Sequence, residues 1–472
     1  MPDHRLAPTH WNPRGEAEGT GPRGLPVRVW GGIPGEEGSI KVVHVGEHST
    51  AARWRGAQEP HPHRRDPMCE KWTACGGCSL MHVTRMGQEL ARRDLVARAF
   101  AAEGVAAEIG QFHESPDGER NYRHVVKLGV EFSDTGRLRV GAWGRGDRRI
   151  VPIPHCNVAA PVLRKTMASI AHWIIELAIW PWDPNTGQGA LRAVVLRASR
   201  TTGEVLITLV AGKHTKAMGE LAERVHEGVA EVAGVWIHLN DEPGNAIFTR
   251  DGDGVVGVSP LSGRDHIEEK LNGITYRIGP GDFFQTNPGM AEVLYRRTVE
   301  RMAPGPDDAV VDLYSGVGGI ALQVGTQAGF VVGVEEVEGA VNRAREVSRL
   351  NKCNAEFQLG QVIDVLPELG RRLARTHPIV SVNPARRGLE PGVADAIAAL
   401  APSRIAYVSC NPRALARDIA RFQTHGFHLD GPIELFDMFP HTPHVEVLAL
   451  LAGPAAEASA GRAPRRKVIR AV

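Results

Sequence analysis

Asp312-Leu313-Tyr314-Ser315-Gly316-Val317-Gly318-Gly319 is the stretch whose reading decides the fold. An apolar run precedes it and reads as a buried strand, and an apolar, helix-like run follows. Glycines at 316, 318 and 319 let the backbone turn tightly and come close to a ligand. About twenty residues on, a second strand, Phe330-Val331-Val332-Gly333-Val334, ends at Glu335, where a carboxylate can accept from ribose hydroxyls. From Asp308 onward β- and α-type segments alternate, through Pro378–Leu389 and Arg404–Phe422, which predicts a doubly wound α/β sheet with parallel strands. The loop points to a nucleoside cofactor. A nicotinamide dinucleotide and a merely structural turn are the rival readings.

Working outward, the 472 residues suggest several domains rather than one. Lys plus Arg is 55 against 54 Asp plus Glu, so any nucleic-acid site rests on local clustering and not on a basic coat. Six cysteines exclude a disulfide-dense secreted scaffold. The most apolar stretch, Ala171 to Trp182, carries His172 and Glu176 and is short of a membrane span. The start of the chain has no apolar segment of the signal-peptide kind. A soluble, cytoplasmic protein is expected, with no membrane partner.

Between Leu25 and Trp54, apolar alternation broken by Gly and Pro suggests a small β-barrel. A helical pattern follows from Met86 to Ala102, with Leu90, Leu95, Val96 and Phe100 on one face. Residues 120–260 mix strands with a helix near Leu163 to Ile179 and read as an α+β middle domain. The tail after Gly453 is Ala-rich and then basic at Arg465-Arg466-Lys467, and is expected to be disordered.

Three cysteines, Cys69-x5-Cys75-x2-Cys78, have a ligand-like spacing, and Gly76 and Gly77 let the loop wrap a metal. A fourth thiolate would complete the site, with Cys156 and Cys353 the cysteines left to supply it. Spacing does not separate zinc from an iron–sulfur cluster. Near the other end, Ile405-Ala406-Tyr407-Val408-Ser409-Cys410-Asn411-Pro412 reads as a strand ending in a turn. This puts Cys410 at a carboxyl-terminal strand end, where open α/β sheets bind ligands. Glu446 lies within a predicted strand, either as a solvated edge residue or facing a pocket.

The D-L-x-S-G-x-G loop is similar to the first motif of class I S-adenosylmethionine-dependent methyltransferases. Taken with Ser409-Cys410-Asn411-Pro412, Asp437-Met438-Phe439-Pro440-His441-Thr442-Pro443-His444-Val445-Glu446, Gly281–Gly289 and Cys69–Val83, in that family's order, the chain resembles the RNA uracil-5-methyltransferases over roughly residues 20 to 452. The resemblance implies a multidomain protein. Residues 1–66 would be an OB-like TRAM barrel that binds RNA, and residues 67–275 a middle domain with a cysteine cluster. Residues 276–453 would be a Rossmann-like methyltransferase domain, and residues 454–472 a basic tail. It implies Cys410 as nucleophile and Glu446 as base. Gln285, Asp312, Tyr314, Gly316, Glu335 and Asn383 would hold S-adenosylmethionine, and Phe284, Gln285, Asn383 and Arg386 the target base. Cys69, Cys75, Cys78 and Cys156 would hold a [4Fe–4S] cluster of structural or RNA-positioning role.

Resemblance also implies 5-methyluridine as the product, in large-subunit (23S) ribosomal RNA or, second, in transfer RNA, made by a monomer. RNA contacts are expected from Arg23, Arg28, Lys41, Arg53, Arg55, Arg64 and Arg65 interleaved with Trp30 and Trp54, and from Tyr122-Arg123-His124. Arg417 or backbone donors are candidates to stabilise the Cys410 thiolate. The chain departs from the family at Asn383, where Asp is usual, and at Gln361, near a frequent Asp. An amide can accept from uracil N3–H or donate to cytosine N3, so 5-methylcytidine stays open. So does an RNA-binding protein whose pocket has decayed.

Overall fold

The computed structural model describes residues 4–22, 24–146, 149–244, 246–249, 256–374 and 376–454. Arg23 and the tail with Arg465-Arg466-Lys467 lie outside the described residues.

Near the N-terminus, six strands pair along one path: His4–Leu6, Gly38–Val45, Thr50–Ala57, Pro26–Trp30, Ala17–Thr20 and His10–Trp11. All pairs are antiparallel except Pro26–Trp30 with Thr50–Ala57. Alternate residues Val27, Val29, Ile40 and Ala52 turn inward to a small core, as the period of two requires. A helix, Arg85–Ala102, follows the cysteine loop.

A second sheet has the order Ile150–Val151, Leu138–Trp143, Val125–Phe132, Leu191–Ala198, Val205–Ala211, Val232–Leu239, Ser259–Gly263. Helices Pro161–Glu176 and Lys216–Gly228 cover one face over an aliphatic core.

The third sheet holds the glycine loop. Its strands in chain order are β1 (Ala309–Leu313), β2 (Phe330–Glu335), β3 (Glu356–Leu359), β4 (Ile379–Val382), β5 (Arg404–Ser409), β6 (Ile433–Phe436) and β7 (Glu446–Ala452). Their spatial order is β3-β2-β1-β4-β5-β7-β6; Ile109–His113 adds beside β6, and a ninth, two-residue strand, His428–Leu429, pairs with β7 off this path. β1 to β5 are parallel, and β7 runs antiparallel between β5 and β6. The central parallel strands are mostly apolar because helices cover both faces; β1 is buried at every residue, Asp312 included. Strand order reverses between β1 and β4, so a ligand crevice opens at their carboxyl ends. The fold is that of a class I methyltransferase.

Candidate active site

The candidate residues of the third sheet stand along the carboxyl edge of its parallel strands. At the end of β1 the chain turns through Tyr314, whose φ is +60°, and Gly318, at +87°. A Cβ on Gly318 would stand 2.8 Å from the Leu322 side chain and 2.9 Å from that of Phe357, so glycine is required on two counts. Asp312 is buried and bonds the Ser381 hydroxyl with one oxygen, while the other accepts from the Ala321 N–H at 2.9 Å. Burial, with the Glu335 charge beside it, pushes the Asp312 carboxyl up to about 7. In this structure Asp312 braces the loop from within.

Glu335, ending β2, accepts from the Gly316 N–H at 3.0 Å and from the Val337 N–H at 3.0 Å. Beside it a cavity of about 110 Å³ is lined by Tyr314, Glu335, Gln361, Arg387 and Glu390 among others. The Tyr314 hydroxyl donates to Glu390. Gln361 begins the helix Val362–Arg372 without capping it through its side chain. Asn383 follows β4; its N–H donates to the Leu313 carbonyl at 3.4 Å, and its side-chain amide has no partner among the described residues.

Sheet register assembles the other end. Ser409, the last residue of β5, pairs with Val447 of β7, so one step further Cys410 faces Glu446. The Glu446 carboxyl is 5% exposed, and burial pushes it up to about 7, opposed by the charge of Arg386. The half-buried Cys410 thiol is pushed up to about 11, first by burial and then by Glu446. Arg386 reaches the thiol and pulls the other way. The expectation for Arg417 is corrected here: its guanidinium lies on the Arg387 carbonyl at 2.8 Å and on Asp418 at 3.0 Å. Asn411 holds Arg386 by donating to its carbonyl at 2.8 Å.

A third element closes the site. The loop before helix Pro288–Met302 carries Phe283, Phe284 and Gln285. Phe284 is 5% exposed, with its ring 5.5 Å from that of Tyr276 in the main core. Phe284 thus packs inward, while the neighbouring Phe283 is 73% exposed. Two adjacent Phe leave the facing one undecided until the loop's path is known. Gln285 bonds the hydroxyl of Tyr295, a buried residue beside both Asp312 and Glu446. Tyr295 went unsingled in the sequence because it occupies an ordinary buried position of an amphipathic helix. Tyr122 and His124 are corrected too. Tyr122 is buried with its hydroxyl on the Pro440 carbonyl at 2.9 Å, and the buried His124 lies on the Tyr122 carbonyl at 3.0 Å.

Away from the crevice, Cys69, Cys75, Cys78 and Cys156 line one cavity of about 210 Å³. Cys353 instead packs against the core of the third sheet. Burial raises Cys69 and Cys75 and pushes Cys78 up to about 12. Among the described residues no three His, Cys, Asp or Glu side chains gather closely enough to hold a single metal ion. No helix among them is long and apolar enough to cross a membrane.

A family model described as tRNA (Uracil-5-)-methyltransferase matches residues 373–453, the segment with Asn383, Arg386, Cys410 and Glu446. An uncharacterized RNA methyltransferase of Geobacter sulfurreducens is 32% identical over 437 residues, 91% of this chain and 86% of its own. One from Listeria monocytogenes is 30% identical over 439 residues, covering 91% and 93%. A solved structure, the tRNA (uracil-54, C5)-methyltransferase of Pyrococcus abyssi in complex with S-adenosyl-L-homocysteine, superposes with a TM-score of 0.74 at 25% identity, covering 95% of this chain and all of that one. The chain belongs to the RNA uracil-5-methyltransferase family and is an enzyme of that class.

Proposed function

We propose that the enzyme methylates C5 of a uridine in RNA, with Cys410 as nucleophile and Glu446 as base. The observation that carries this reading is the β5–β7 register, which sets a thiol and a carboxyl face to face with Arg386 on the thiol. Uracil C5 is a poor nucleophile. Addition of the Cys410 thiolate to C6 makes C5 enolate-like and able to take a methyl group. Glu446 then accepts the C5 proton; the C5–H electrons re-form the C5–C6 double bond and expel the thiolate. Arg386 favours the thiolate over the thiol. The target nucleotide must leave its stack for C6 to be reached.

S-adenosylmethionine fits the crevice beside the glycine turn, where Glu335 stands at the end of β2 to accept from ribose hydroxyls. When bound it supplies an electrophilic sulfonium methyl. Tyr314, Gly316 and Gln285 complete its surroundings, and Asp312 acts through the loop it braces. Asn383, with its amide unpaired, would read the base edge, accepting from uracil N3–H. Phe283 is the aromatic that meets RNA from this loop.

The four cysteines suit a [4Fe–4S] cluster. They line one cavity together, and the family resemblance favours a cluster over a lone zinc ion at this spacing. Anaerobically purified protein is expected to be brown and to carry about four iron atoms and four sulfides per chain. One zinc in their place would overturn this assignment.

Ribosomal RNA is the first substrate reading, on the analogy of a TRAM-like N-terminal sheet together with the cluster. Transfer RNA is the second, favoured by the Pyrococcus abyssi enzyme. RNA from cells with and without the protein is digested to nucleosides and mapped. 5-Methyluridine at one site is expected, and 5-methylcytidine alone would overturn the uridine reading. Incubation with 5-fluorouridine-containing RNA and S-adenosylmethionine is expected to trap a covalent adduct. The mechanism falls if Cys410→Ala forms that adduct equally well.

A further inference from the structure

The chain reaches Glu446 through nine residues, 437–445, with no helix or strand, and most of that segment is pinned by side chains from outside the third sheet. Arg92 is the centre of the pinning. It lies in the helix Arg85–Ala102 at 1% exposure. Its Nε donates to the Thr442 carbonyl at 3.0 Å and its Nη2 to the Phe439 carbonyl at 3.0 Å. The same Nη2 is 3.0 Å from the Asp437 carboxylate. One turn earlier in the helix, Gln88 accepts from the His441 N–H at 2.8 Å.

A guanidinium this deep costs several kcal/mol to desolvate, so it is tolerable only where its donors are used. All its polar partners among the described residues lie in 437–442, immediately before the base. Pro443 limits the backbone freedom of the short link that remains.

Building on the reading of Cys410 as nucleophile and Glu446 as base, we propose that Arg92 is a positioning residue. Its clamp on Asp437, Phe439 and Thr442 sets where the Glu446 carboxylate stands against C5. Without it the loop loses its anchors on the Phe439 and Thr442 carbonyls, keeping those on Pro440 and His441, and Asp437 is left buried without its cation. Cys410 is held by β5 and by Arg386, neither of which depends on Arg92. The defect therefore falls on removal of the C5 proton and not on formation of the Cys410–C6 bond.

The test uses the full-length enzyme, Arg92→Met and Arg92→Lys, with S-adenosylmethionine and unmodified transcripts of large-subunit ribosomal and transfer RNA. Covalent adduct on ordinary uridine is read on denaturing gels, beside product formation, S-adenosylmethionine binding by calorimetry, and thermal stability. Arg92→Met is expected to form product about a hundredfold more slowly while adduct rises at least about tenfold, since small displacements of a reacting group cost this much. Arg92→Lys keeps the charge without the fork and is expected to fall between. Parent-like rates and adduct levels would overturn the proposal. So would joint loss of adduct, S-adenosylmethionine binding and stability, which marks a role in folding alone. If Arg92→Met does not fold, Arg92→Lys decides, and adduct at the parent level there overturns it. A parent enzyme that forms no Cys410-dependent adduct with 5-fluorouridine RNA would instead sink the mechanism on which this rests.

Discussion

Glu446 stands at the start of β7 with its carboxyl out of water, and burial holds its proton up to about pH 7. The folded chain therefore binds that proton more tightly than the unfolded chain does, whose carboxyl ionises near 4.5. Its contribution to stability is complete below that lower value and is lost as pH rises through about 7. Glu446→Gln removes the liability. Urea melts should show variant and parent alike near about pH 4 and the variant ahead by up to about 3 kcal/mol at about pH 8. A gap that does not change with pH would show that the carboxyl is not the titrating group. Activity has the opposite demand, because the base must be ionised when C5 gives up its proton, so stability is spent at the site that works.

At the scale of elements, the helix Pro412–Gln423 begins at Asn411, whose Oδ1 accepts from the Arg413 N–H at 3.2 Å while its Nδ2 holds the Arg386 carbonyl. One side chain caps the helix and steadies the cation at the thiol. Asn411→Ala should cost about 1–2 kcal/mol for cap and bond together. It should also slow alkylation of Cys410 by iodoacetamide, read peptide by peptide, because the thiolate loses its partner. Unchanged alkylation would detach Arg386 from that role. The helix Arg85–Ala102 shows how legibility fails at this scale. Its apolar spacing predicts Leu90 on the packed face, yet Leu90 is 49% exposed, while Gln88 and Arg92 are buried. Hydropathy periodicity assumes that apolar residues face inward. A helix that buries a polar face against a loop's carbonyls defeats that assumption.

Across the whole molecule, the cysteine loop is a junction. The Trp72 ring lies 4.2 Å from that of Trp30 in the N-terminal sheet, and Arg145, 4.6 Å above Trp30, donates to the Cys75 carbonyl at 3.2 Å. Beyond Cys78, the Leu80 N–H donates to the His441 carbonyl at 2.8 Å, on the loop that leads to Glu446. Trp72→Ala should loosen the first of these links by about 1–2 kcal/mol, seen as roughly tenfold faster amide exchange in residues 26–57 with the third sheet unaffected. Exchange that quickens equally everywhere would argue for global destabilisation instead. The junction was half legible. Cysteine spacing announces a ligand loop, but the tilted Trp30–Trp72 ring contact is formed by residues 42 positions apart.

What the chain's order of residues determined by itself was the set of local devices. These are a glycine turn behind a buried strand, a cysteine at a strand end, a cysteine trio in a glycine-bearing loop, and alternating segments that must form a parallel sheet. Each is written within a short window because turn geometry and side-chain periodicity act over a few residues. Only the tertiary structure decided which partners meet: Arg386 rather than Arg417 at the thiol, Phe283 rather than Phe284 in the open, and Arg92 on the loop before Glu446, whereas Cys156 beside the trio was already what the family resemblance implied. Those choices depend on register between strands and on packing between distant elements. Two arginines or two phenylalanines are alike until the chain is folded.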